Sequence, residues 1–193
     1  CEAVDLDHCI EAREGQSIAQ IFSARGEEEF RRLETSVLNA ALQDTNTPRI
    51  IATGGGIVTR AENRALLKAA AMRGVLVVYL QVAPEVLAAR IRRQPGIRPL
   101  IDGARVLDME QTRLRVEALL KERAPHYQDV ANFVVDGTTL APDEIAHLIV
   151  LEPGFVEDGV DVNQRHAPFG GPGASSWLVR LGAGNRAHCL HRR

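Results

Sequence analysis

The residues of this sequence whose types and spacing could do chemistry are two aspartates two positions apart, three consecutive glycines and a few arginines in unusual contexts. Asp5 and Asp7 close the stretch EAVDLD at residues 2–7. If that stretch is extended, side chains alternate and both carboxylates share one face. Such a pair could hold a hydroxyl-bearing ligand or a metal, and Asp7 could take the proton of a hydroxyl acting as nucleophile. Asp7 could equally cap the helix that follows. Gly54, Gly55 and Gly56 end the apolar run IIAT. A tight turn with positive φ needs one glycine, so three in a row suggest bare amides open to a polar ligand. Arg31 follows Phe30, Arg98 lies in GIRPL, and Arg123 precedes Ala124 and Pro125. The usual fate of arginine is a solvated surface charge. A planar guanidinium also binds carboxylate or phosphate bidentately, so two fixed arginines beside hydroxyl-binding aspartates describe a pocket for a polyhydroxy acid. An arginine in an irregular loop suits closure over nucleotide phosphates and stabilisation of charge during transfer.

The elements that must position these residues alternate along the chain. A short strand at 2–7 leads into a helix ending on Gly15, and Ser17 can cap a second helix. GEEEFRRLETSVLNAALQ then sets Phe30, Leu33, Val37, Leu38 and Ala41 at helical spacing. The strand IIAT is followed by a helix over 61–72, a strand over 75–82 and a helix from Pro84. Residues 94–105 break all periodicity and read as a mobile loop. MEQTRLRVEALLKERA is a long helix, PHYQDVA connects it to the strand NFVVD, and APDEIAHLIVL supplies a last helix. Apolar strands alternating with helices predict an α/β fold, a parallel sheet covered on both faces. Ligands of such sheets gather beyond the carboxyl ends of the strands, where Asp5, Asp7 and Gly54–Gly56 would lie.

Composition sets the outer bounds. With 193 residues, 45% hydrophobic and 25% charged, the chain is sized for one such domain, expected over residues 1–150. From Leu151 onward periodicity is lost and glycines and histidines accumulate, so 151–193 is expected to be an irregular, disordered tail. A formal net charge of -2 argues against a nucleic-acid binder. Cys1, Cys9 and Cys189 suit neither a disulfide framework nor a zinc site, which points to a reducing cytoplasm. Nor does the tail set His166, His188, Cys189 and His191 form a tetrahedral pattern. No apolar run approaches the roughly 18 residues of a membrane span.

Taken in order, DLDHCIEAREGQSIAQIFSARGEEEFRRLE, ATGGGIV with ENRALL, VVYL, IRPL and LLKERAPHYQDVANFVVD resemble shikimate kinase across roughly residues 4–150. The resemblance implies a P-loop NTPase-like fold and transfer of a phosphoryl group from ATP, with Mg2+, to the 3-hydroxyl of shikimate, a step toward chorismate and the aromatic amino acids. It also implies a cytoplasmic monomer. Asp7 matches the aspartate that binds the shikimate hydroxyls and can take the proton of the attacking one. Arg31 and Arg123 match the two arginines that grip the carboxylate. Gly54, Gly55 and Gly56 fall in the substrate-contacting glycine motif, whose missing side chains would make room for a sugar-like ring. Arg98 matches the lid arginine that closes on ATP, and Asp5 the first aspartate, close to the magnesium shell.

One part of that pattern has no counterpart here. The phosphate-binding loop G-x-x-x-x-G-K-[ST] should precede the DLD strand, and residues 1–193 contain none. Minimal catalysis by this chain is the expectation. In the family's strand order, 2-3-1-4-5, the strand that carries the loop is central. Its loss would leave IIAT and VVYL facing unpaired edges, at about 1–3 kcal/mol per buried unpaired group against a total stability of about 5–15 kcal/mol. The expectation is therefore a poorly folded chain from a truncated frame. The alternative is a non-catalytic shikimate-binding or regulatory module whose partner supplies the strand.

Overall fold

The structure, a computed structural model, describes residues 2–43, 49–93, 107–151 and 177–181. Strand β1 (Glu2–Asp5) passes directly into α1 (Leu6–Glu14). The expected extended stretch thus ends at Asp5, and Asp7 sits in the first helical turn. The two aspartates do not share a strand face. The reason is local: Asp5 Oδ1 accepts hydrogen bonds from the Asp7 and His8 amides at 2.9 and 3.3 Å, satisfying two donors that a helix start leaves orphaned. Asp5, not Asp7, is the cap. Gly15, left-handed at φ 64°, ends α1.

Helix α2 (Ile18–Gln43) is broken at Gly26, whose φ of 80° and ψ of 173° divide it where the sequence reading divides it. Then follow β2 (Arg49–Thr53), a 3-10 turn (Ile57–Thr59), α3 (Ala61–Met72), β3 (Leu76–Gln81) and α4 (Pro84–Arg93). Helix α5 (Met109–Val130) opens on a capping box between Asp108 and Gln111 and runs through Pro125, past its expected end. Proline removes one ladder bond, and the ladder has resumed where the Ala131 amide bonds the Tyr127 carbonyl at 3.1 Å. Arg123 and Tyr127 therefore lie on one helix. Strand β4 (Phe133–Asp136) and helix α6 (Pro142–Leu151) complete the alternation.

The sheet order is β1-β2-β5-β3-β4, with β1 parallel to β2 and β3 parallel to β4. Its centre corrects two expectations. Residues 177–181, inside the segment read as irregular, form β5 (Trp177–Leu181), antiparallel to both β2 and β3. Neither β2 nor β3 faces an empty slot. The backbone groups of two facing edges demand partners, and a strand of either direction can supply them. Leu6, Leu38, Ile51, Leu67, Val77, Tyr79 and Tyr127 pack one face, and Leu76, Val78, Val135 and Ile149 the other. Among the described residues no helix is long and apolar enough to cross a membrane.

Candidate functional site

The site lies where β1 and β2 end. Arg31 rises from the second half of α2 and is only 5% exposed. Its Nη1 donates to Glu34 Oε2 at 2.8 Å, its Nε and Nη2 donate to Glu27 Oε1 at 3.3 and 3.2 Å, and its guanidinium lies 5.1 Å from the Phe30 ring centroid. Glu34 is buried at 1% exposure. The glycine turn wraps this pair. A Cβ on Gly56 would fall inside the Arg31 guanidinium, and one on Gly54 would touch Asp7 Oδ1 and Glu34 Oε1, each at 3.4 Å. At Gly56, then, the space freed by the absent side chain holds Arg31 and not a ring. The Gly54 and Gly56 carbonyls accept from the Ile57 and Thr59 amides, which folds the turn into the 3-10 segment. The third carbonyl, that of Gly55, accepts from the Tyr127 hydroxyl.

Charge in this pocket is held away from water. Burial pushes the Asp7 carboxyl up to about 6, Asp5 and Glu11 add to the rise, and Arg31 opposes it. Burial also raises Glu34, with Arg31 and Arg123 pulling it down and Asp7 pushing it up. Glu34 Oε1 and Arg123 Nε are among the buried polar atoms that find no hydrogen-bond partner among the described residues. An orphaned acceptor and an orphaned donor within each other's field are what a ligand bearing both hydroxyl and carboxylate would satisfy.

The raised Asp7 carboxyl fixes the sign of a pH effect. The folded state holds the proton more tightly than the unfolded chain, so Asp7 destabilises the fold once ionised, and acidification from about pH 6 to 4 relieves that cost. In urea unfolding the parent chain should gain stability relative to Asp7→Asn over that window. A difference that stays flat with pH would mean the carboxyl is not strained by its surroundings.

Of the residues singled out in the sequence, Asp7, Arg31, Gly54, Gly55, Gly56 and Arg123 come together here. Asp5 is exposed and engaged as the α1 cap. Arg98 lies outside the described residues. Two members were missed. Glu34 follows Arg31 by three positions and Tyr127 follows Arg123 by four, the spacings that put side chains on one helix face, and that was the available signal. The described residues do not fit a nucleotide or magnesium site by themselves. No helix among them starts from a Gly-Lys-[Ser/Thr] loop, and no three His, Cys, Asp or Glu side chains converge to hold a metal.

Parallel strands whose carboxyl ends lie beside the buried Arg31–Glu34 pair and the half-buried Asp7 and Arg123 define an α/β domain of P-loop NTPase-like architecture. The family model described as shikimate kinase matches residues 1–152. A shikimate kinase of Aromatoleum aromaticum is 43% identical over 134 residues, 69% of this chain and 69% of the relative. One of Streptococcus suis is 39% identical over 147 residues, 76% of this chain and 83% of the relative. Among solved structures, shikimate kinase from Acinetobacter baumannii in complex with shikimate is 35% identical at a TM-score of 0.67, covering 77% of this chain and 76% of that one. Shikimate kinase from Bacteroides thetaiotaomicron is 26% identical at a TM-score of 0.65, covering 78% and 84%. The chain belongs to the shikimate kinase family.

Proposed function

We propose that residues 1–151 form the acceptor side of a shikimate kinase. Arg31 and Arg123 hold the shikimate carboxylate, while Asp7 and the backbone of the glycine turn hold the ring and its hydroxyls, Gly56 yielding its side-chain space to Arg31. Asp7 takes the proton of the 3-hydroxyl, a role its carboxyl can fill only when ionised, above about pH 6. The observation that carries this reading is the pair of buried, unsatisfied atoms, Arg123 Nε and Glu34 Oε1, in a pocket that already contains an acid and a fixed guanidinium. Membership of the family implies ATP as the phosphoryl donor. On the donor side the proposal assigns Arg98 as the residue that closes on ATP. A monomer in the cytoplasm completes the reading, to be checked by sedimentation and cell fractionation.

Calorimetric titration with shikimate is the test. The chain should bind, and Arg123→Ala should weaken binding by about 2 kcal/mol, roughly thirtyfold, as a charge-assisted bond to the carboxylate is lost. No binding, or equal binding by the variant, would remove the proposal. A second reading, a non-catalytic shikimate-binding or regulatory module, draws support from β5, an antiparallel strand that occupies the centre of the sheet. Shikimate binding with neither ATP binding nor turnover would select it.

A further inference from the structure

Tyr127 joins two walls of the site that come from distant parts of the chain. It is 2% exposed, and its ring packs against Tyr79 of β3 with centroids 4.9 Å apart and planes at 34°. Its hydroxyl donates to the Gly55 carbonyl, 72 positions away. The Arg123 guanidinium, one turn earlier on α5, lies against the same phenol and pulls its ionisation down against the effect of burial. A phenol has one proton and two acceptor sites, so it can donate one bond and accept another at once. A guanidinium donating to that phenol would complete a relay in one direction, from guanidinium to phenol to carbonyl, each bond polarising the next. Burial holds the phenol protonated up to about pH 12, so the donated bond persists across any working pH.

We propose that Tyr127 is a positioning residue for the shikimate carboxylate: its hydroxyl ties Arg123 on α5 to the glycine turn at Gly55, fixing the separation of the two binding walls before the ligand arrives. This rests on the acceptor-side reading above. A side chain that only filled the core would need the ring and not the hydroxyl. Removing the hydroxyl separates the two roles, since the ring contact with Tyr79 survives in Tyr127→Phe.

The test is a double-mutant cycle on shikimate affinity with the parent chain, Tyr127→Phe, Arg123→Ala and the double variant. Tyr127→Phe should lose about fivefold to tenfold in affinity beside Arg123. In the Arg123→Ala background it should lose almost nothing. Equal loss in both backgrounds, or no loss in either, overturns the proposal while leaving the acceptor-side reading in place. A parent chain that binds no shikimate overturns both. Should Tyr127→Phe fail to fold, 3,5-difluorotyrosine at position 127 keeps the ring and lowers the hydroxyl's titration toward neutrality. Affinity should then fall as pH rises through that titration, and a profile identical to the parent's overturns the proposal.

Discussion

Val179→Pro should abolish the cooperative thermal melt of this chain. Val179 sits in the middle of β5, in register with Ile51 of β2 on one side and Val77 of β3 on the other. Proline brings no amide hydrogen to that ladder, and its ring collides with the neighbouring strand, which is why it is confined to sheet edges. The direct penalty is about 3 kcal/mol or more. Among the described strands it falls on the one that joins the two parallel pairs, so the penalty spreads to the groups of β2 and β3 that β5 had satisfied. Against a total of about 5–15 kcal/mol that is enough to lose the native state at ordinary temperature. Circular dichroism melts and amide exchange in β2 and β3 would show it, and Trp177, the sole tryptophan, offers a fluorescence probe at the first residue of β5. A melt that keeps its midpoint and sharpness would mean that the sheet does not depend on residues 177–181.

Gly56→Ala is expected to cost more than any comparable glycine substitution in the site. The added Cβ would meet the Arg31 guanidinium, and Arg31 has little freedom to yield. It is buried, clamped at 2.8 Å to a Glu34 that is itself buried, and held on its other edge by Glu27. Pulling the guanidinium off Glu34 would leave an uncompensated buried carboxylate, a loss of about 3–5 kcal/mol when complete. Some of that is recovered by shifts of the turn, so a stability loss of about 2 kcal/mol is expected, with shikimate affinity down by roughly a hundredfold as Arg31 and the turn are both displaced. Gly54→Ala supplies the contrast. Its Cβ would meet carboxylate oxygens at 3.4 Å, an ordinary contact, and its unfolding midpoint should stay close to the parent's. Urea unfolding and calorimetry on both variants decide the matter. Parent-like shikimate binding by Gly56→Ala would mean that Arg31 is not where the carboxylate is held.

What the sequence determined alone is the part of the protein governed by local pattern. Local pattern located α3 and α4 to the residue, short apolar runs located the four parallel strands to within two residues, and the order of short motifs identified the family. Residue type singled out Asp7, Arg31, the glycines and Arg123, because carboxylates, guanidinia and bare backbone have few substitutes in their chemistry. The tertiary structure decided what depends on a distant partner. WLVRL is five residues, too short for a pattern to stand out, and it becomes a strand because two unpaired edges far back in the chain need its backbone. Glu34 is legible as a helical acid, but only its burial against Arg31 and Gly54 makes it part of the site. The extension of α5 beyond Pro125 is likewise a tertiary decision. A proline's lost bond disfavours helix locally, and the burial of Tyr127 and Val130 against the core outweighs it. Side-chain periodicity is written into neighbouring residues, whereas hydrogen-bond satisfaction and burial are settled between residues far apart in the chain, and no single stretch of sequence contains them.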